Sequence, residues 1–91
     1  MAERLGQMIV EQCGWRDVAV RRVGNDQAQL VPNKGSWWIG ISVFGAGTEM
    51  WAGRILDDGS YGGARAQSGK LFTSDHEGVI EAARRLRAQV E

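Results

Sequence analysis

Apolar residues recur along this chain with two different periods. Near the start, Leu5, Met8, Ile9 and Cys13 are spaced by three and four, which gathers them on one face of a helix over residues 2–13. Gly6 interrupts that helix at a cost of about 1 kcal/mol relative to alanine. Gly14 stands where a helix C-cap is expected. A second stripe, Val79, Ile80, Ala83, Leu86 and Val90, predicts a helix over 75–90. Ser74 and Glu77 have the spacing of a capping box at its start. Glu81 and Arg85 form an i,i+4 pair in the favourable order, and Arg84, Arg85 and Arg87 fall where cations suit the helix dipole.

Between the helices the period drops to two. Val18 and Val20 alternate in a run over 17–23, and a second run covers 28–31. The strongest run, 36–44, is rich in aromatic and β-branched residues. Residues 48–56 return, and 61–67 form a weaker, glycine-rich run. Turn-forming residues separate them at 24–26, 32–35, 45–47 and 57–60, and 68–70 leads toward the second helix. The order α-β-β-β-β-β-α predicts one α+β domain over 1–91: an antiparallel β-meander of four to five strands flanked by an N-terminal and a C-terminal helix.

The central hairpin defines two faces. With Ala46 and Gly47 as its loop, Gly45 pairs with Thr48. One face then carries Trp37, Ile39, Ile41 and Val43 opposite Leu56, Arg54, Ala52 and Met50, a floor for the helices. The other carries Trp38, Gly40, Ser42 and Phe44 opposite Ile55, Gly53, Trp51 and Glu49. In this register Gly40 faces Gly53 between two tryptophans, a shallow trough with aromatic walls. If Asp58-Gly59 closes the next hairpin, Gly62, Ala64, Ala66 and Ser68 extend the trough face, while Arg65 and Gln67 fall beside Arg54 on the aliphatic face. A one-residue bulge near Gly62-Gly63 would reverse that assignment. The trough has two readings. It is a partner-binding platform made by Trp38, Gly40, Phe44, Trp51 and Gly53 with Arg65 nearby, or it is filled by a helix or Trp15 of the same chain.

Composition narrows the function classes. The 91 residues are 43% hydrophobic and 24% charged, enough for one modest core. Eleven cations balance eleven anions, which argues against attachment to nucleic acid or an anionic membrane by bulk charge. The single cysteine, Cys13, cannot form an internal disulfide. The first residues do not read as a secretory signal, and no apolar run approaches the ~20 residues of a membrane span. The cytoplasm is the expected compartment.

Candidate chemistry is sparse. His76, the one histidine, lies between Asp75 and Glu77, but sequence neighbours on a helix do not face each other. Cys13 belongs to an apolar face, and Asp57 and Asp58 precede the glycine of a turn. Gly45-Ala46-Gly47 lacks the third glycine and following helix of a nucleotide-binding loop. One histidine and one cysteine make no metal set. No enzyme activity, cofactor or metal is expected.

The segment 48–87 resembles small bacterial domains built as a β-meander followed by a helix, on two strands joined by an Asp-Gly turn and an aromatic before a capped helix (Phe72, Ser74, Glu77). That likeness implies topology and no site residue. The expected function is therefore a small non-enzymatic binding protein, an adaptor or inhibitor docking on a larger protein or nucleoprotein through its aromatic sheet surface, with self-association included. In size and composition it resembles small inhibitors from phages and mobile elements. The alternative is a module that holds single-stranded nucleic acid with tryptophan and arginine residues. Arg21, Arg22, Arg65, Lys70, Arg84, Arg85 and Arg87 are its candidate cations.

Overall fold

The computed structural model describes residues 1–91. Helix α1 (Ala2–Cys13) leads into β1 (Val18–Gly24), β2 (Gln27–Pro32), β3 (Trp37–Phe44), β4 (Gly47–Ile55) and β5 (Tyr61–Gln67). A two-residue strand β6 (Leu71–Phe72) and helix α2 (His76–Val90) complete the chain. The sheet is antiparallel in the order β1-β2-β3-β4-β5, and β6 pairs with the start of β4 beyond the end of β5. This is the predicted α+β meander with one short strand added. No helix is long and apolar enough to cross a membrane.

Both helices lie on one face of the sheet. Leu5 and Ile9 of α1 and Val79, Ala82, Ala83, Leu86 and Val90 of α2 join Leu30, Ile39, Ile41, Met50 and Ala52 in a single buried cluster. Cys13 packs half-buried against it. Gly6 is buried where α1 meets the sheet. A methyl group there would come within 3.0 Å of Val20 and 3.2 Å of Leu30. The residue that weakens the isolated helix thus sets how closely it approaches the strands. Gly14 closes α1 in the left-handed conformation (φ 67°), its N–H donating to the carbonyls of Glu11 and Val10.

The β3–β4 register differs from the predicted one by two residues. Phe44 pairs with Gly47 and Trp37 with Arg54, so Gly45 and Ala46 form the loop. Gly45 alone has positive φ, 62°. A two-residue hairpin turn with glycine first is of type II′, whereas placing Ala46 first and Gly47 second would demand positive φ from alanine. A shift of two preserves which residues share a face, so the aliphatic floor stands: Ile39 faces Ala52, Ile41 faces Met50 and Val43 faces Thr48. Thr48 is fully buried, and its hydroxyl donates to the Ser42 carbonyl at 2.7 Å.

Other local details also differ. Asp75, not Ser74, caps α2, its carboxylate accepting from the Gly78 N–H at 3.1 Å. The Asp75 N–H is tied to the Phe72 carbonyl, which leaves Ser74 outside the helix, and aspartate adds a favourable charge at the positive end of the dipole. The ion pair on α2 is Arg87–Glu91 at 3.1 Å rather than Glu81–Arg85, a pair whose small worth in solvent does not fix its rotamers. Pro32 ends β2, buried opposite Val18, instead of sitting inside the turn.

Arg54 resolves the problem of a cation on the aliphatic face. Its guanidinium reaches the end of α2 and donates to the carbonyls of Val90 (3.1 Å) and Glu91 (3.4 Å). These are the carbonyls a helix leaves without partners, at the negative end of its dipole. At the same end, Trp15 packs edge-on against buried Trp37, and the Arg87 guanidinium lies 4.9 and 4.8 Å from their ring centres. Replacing Arg54 by alanine is expected to cost about 1.5–3 kcal/mol, the range for hydrogen bonds to a charged group. Arg54→Lys should recover part of it. Urea denaturation of the two variants measures the difference.

Candidate functional site

The face turned away from the helices is built by the alternate residues of every strand. Its rows follow from the ladder. Phe44, Gly47 and Phe72 form the row at the β3–β4 hairpin end, and Gly24, Gln27, Ser42 and Glu49 the next. Arg21, Gln29, Gly40, Trp51 and Gln67 cross the middle. Trp38, Gly53 and Ala64 lie beyond, followed by Ile55 and Tyr61.

The expected facing pair of glycines is replaced by two tryptophan–glycine pairs. Trp38 lies opposite Gly53, and Trp51 opposite Gly40. The Trp38 ring covers Gly53 so closely that a Cβ there would come within 2.8 Å of the indole and 2.7 Å of the Gly63 carbonyl oxygen. The space over Gly53 is therefore filled by neither helix nor Trp15, but by the neighbouring strand's own Trp38. Tyr61 packs beside Trp38 at 6.4 Å between ring centres, and its hydroxyl accepts from Arg21 at 3.0 Å. β2, β3 and β4 separate those two residues in the sheet. Strands are spaced by ~4.8 Å, so this bond requires the sheet to curl toward its uncovered side. The Trp38 indole N–H is buried there without an acceptor.

Trp51 is different. It stands half-exposed between two depressions. One, of about 280 Å³, is lined by Val23, Gln27, Gln29, Gly40 and Ser42. The other, of about 310 Å³, is lined by Ala64, Arg65, Ala66 and Gln67. Gly40 leaves the first open: a Cβ there would touch only Trp38, at 3.3 Å or more.

β5 departs from the simple register at two bulges. Ala52 pairs with Ala66, Gly53 with Ala64 and Ile55 with Tyr61. The first bulge sets Arg65 aside and the second lies at Gly62-Gly63. Gln67 thereby reaches the uncovered face opposite Trp51, and Ala66 packs against the core. Ala66 thus leaves the trough face, and neither Arg65 nor Gln67 sits beside Arg54.

Of the residues singled out as partner-contacting, Trp51, Gly40 and Arg65 line the two depressions, Phe44 is 48% exposed at the hairpin end, and Trp38 and Gly53 cover each other. Sequence reasoning missed Phe72, which is 70% exposed in the same row as Phe44, and Tyr61, which is 42% exposed. An unpatterned phenylalanine just before a helix cap was the available signal for the first.

The reactive side chains remain dispersed. His76 is exposed at the start of α2, Cys13 packs on the core, and no three of histidine, cysteine, aspartate and glutamate converge on a metal-sized site. Asp57 and Asp58 occupy the exposed β4–β5 turn. There the Ser60 hydroxyl donates to the Asp58 carboxylate at 2.6 Å and the Ser60 N–H at 3.0 Å. These bonds hold the Asp58 pKa below its ordinary 3.8, the side-chain bond contributing most. No protein-family model, curated protein or solved structure matches the chain.

Two predictions follow from this geometry. Gly53→Ala should lower stability by about 1–3 kcal/mol through overpacking beneath Trp38, whereas Gly40→Ala, which asks only the Trp38 ring to give by a few tenths of an ångström, should cost less, as thermal melts will register. A depressed folded-state pKa stabilises the fold above the ordinary carboxyl value, and that contribution disappears as pH falls through the folded value. Accordingly, Ser60→Ala, which deletes the hydroxyl bond but keeps the N–H one, should raise the Asp58 midpoint in an NMR titration and reduce its share of the acid dependence of stability.

Proposed function

We propose that this chain is a small non-catalytic docking protein, an adaptor or inhibitor of the kind carried by phages and mobile elements, that binds another protein through the uncovered sheet face. The observation that carries this reading is the make-up of that face. It offers half-exposed Trp51, exposed Phe44, Phe72 and Tyr61, and the neutral amides and hydroxyl of Gln27, Gln29, Gln67 and Ser42. The charged residues on it are Arg21 and Glu49 in the ladder rows, Arg65 beside Trp51 and Asp17 at the β1 edge, two of each sign. Aromatic enrichment with charge depletion is the signature of the core of a protein–protein interface. The partner that fits is an uncharged protein surface presenting an apolar side chain to the depression over Gly40, against Trp51, with polar groups for the surrounding glutamines.

The same placement weighs against the nucleic-acid reading. A single-strand groove needs converging cations beside its stacking rings. Here Arg65 is the one cation lining a depression beside Trp51, and Lys70 is exposed in the loop after β5. Arg22 lies with Glu3 and Asp26, Arg54 is engaged at the end of α2 and Arg87 between Trp15 and Trp37, while Arg84 and Arg85 are exposed on α2, behind the sheet. Arg21 is bound to Tyr61.

The test is affinity capture from the native host with the wild-type chain and two variants. Trp51→Ala should cost about 1–2 kcal/mol of stability, less than the roughly 3–5 kcal/mol of a fully buried tryptophan. Phe72→Ser should cost almost none. Both should abolish capture of a specific protein while the fold persists. Capture unaffected by either variant, or none at all, would sink the proposal. Salt-sensitive binding of single-stranded oligonucleotides would replace it with the alternative.

A further inference from the structure

A meander has two edges, and here they are not alike. The β5 edge is broken by two bulges within seven residues, a device that discourages strand addition. The β1 edge is regular. Val18 through Arg22 pair one-to-one with Pro32 through Ala28, and the register slips only beyond Arg22. β1 is also the more β-branched of the two, with valine at 18, 20 and 23.

The direction of the free groups on β1 is fixed by its inner bonds. The Asn33 N–H donates to the Asp17 carbonyl, and Pro32, opposite Val18, has no N–H to give. In an antiparallel ladder, hydrogen-bonded and non-hydrogen-bonded pairs alternate. Residues 17, 19 and 21 therefore turn their backbone groups toward β2, and Val18, Val20 and Arg22 turn theirs outward. Nothing in the chain pairs with this edge.

We infer that the β1 edge pairs with the β1 edge of a second copy of this chain, antiparallel about a two-fold axis through Ala19. The argument is self-complementarity. In this register Val18 meets Val20 of the second copy through outward backbone groups, and both valines lie on the helix side, Val18 buried and Val20 half-buried. Ala19, small and exposed, faces its own symmetry mate. Asp17 lies opposite Arg21 of the second copy, and Arg21 opposite Asp17, so two opposite-charge positions flank the axis on the uncovered side. Pairing there draws each Arg21 guanidinium from its exposed bond to the Tyr61 hydroxyl, which then turns to solvent. The like-charged pairing, Arg16 with Arg22, falls at the two ends, where Arg22 shares a depression with Glu3 and Asp26. Moving the axis to Val20 loses the Asp17–Arg21 match and sets Ala19 against Arg21. A perpendicular two-fold keeps both uncovered faces on the same side of one continuous sheet, so the dimer presents two Trp51 surfaces side by side.

The experiment needs no partner protein. Sedimentation equilibrium of the full chain should show dimers that dissociate on dilution, and amide exchange at Val18 and Val20 should slow as concentration rises. Ala19→Glu places two carboxylates against each other at the axis on an exposed position, and should weaken the dimer by at least about tenfold without changing the melt of the monomer. Asp17→Arg should weaken it likewise, and the swap Asp17→Arg with Arg21→Asp should restore it. A chain that stays monomeric to millimolar concentration overturns the inference. So does a dimer indifferent to Ala19→Glu, or one lost on Trp51→Ala instead, which would place the contact on the face rather than the edge.

Discussion

The alternation of side chains along the β3–β4 hairpin is the constraint on which the other features depend. Ile39, Ile41, Met50 and Ala52 point one way and are fully buried; Trp38, Gly40, Trp51 and Gly53 point the other. Each helix has only one apolar stripe to cover, so both must dock on the aliphatic side. With only two helices in the chain, the second face has no element left to cover it. A sheet can remain this way because an antiparallel ladder satisfies its own backbone and leaves side chains alone to meet solvent. The hydrophobic drive that builds the core therefore also creates the aromatic surface, since the same eight residues of β3 serve both.

The four tryptophans divide along that line, with different fates. Trp37 and Trp15 are held together on the helix side by an arginine from α2. Trp38 is turned outward but spends its surface on this chain, lying over Gly53 and beside the tilted ring of Tyr61. The curl that the Arg21–Tyr61 bond demands shelters it further. Its N–H is left without a partner, which costs on the order of 1–3 kcal/mol; the packing of the ring offsets it. Trp51 alone keeps both flanks free. It owes this to Gly40 across the ladder, whose missing side chain leaves the neighbouring depression open, and to Gln67, which the β5 bulges bring to its other side.

How much of this was legible depended on whether period or pairing carried the information. Helix boundaries and strand order followed from apolar spacing, which is a property of each segment by itself. Face membership survived a register error because the error was two residues, one full period of a strand. Cross-strand partners did not survive, since the choice between Gly45-Ala46 and Ala46-Gly47 as loop rests on which glycine must adopt positive φ. A Gly-Ala-Gly run does not declare that until turn type is considered. β5 was hardest. In Tyr61–Gln67 five of seven residues are glycine, alanine or arginine, so no apolar alternation fixes its register and bulges cost little. β6 was missed for a related reason: two residues have no period. It forms because Ser68 keeps both backbone and hydroxyl bonds to Met50, after which Gly69 (φ 74°) turns the chain back onto the start of β4. Phe72 reached the uncovered face through that unread strand.

Net charge zero could have meant a surface on which charges are mixed everywhere. The fold instead sorts them. Arg54 and Arg87 are drawn into the packing at the C-terminal end of α2, where helix dipole and aromatic faces hold them. Glu77, Glu81, Arg84 and Arg85 stay on the solvent side of the same helix. Few ionised groups are left for the sheet face, and those it has oppose each other in sign. A neutral, aromatic, glycine-relieved surface gains little from long-range attraction and much from desolvating close contact. If the proposed docking takes place on this face, its specificity must come from shape around Trp51 and from hydrogen bonds to its glutamines. Mutations at its rim should alter dissociation far more than the rate of encounter.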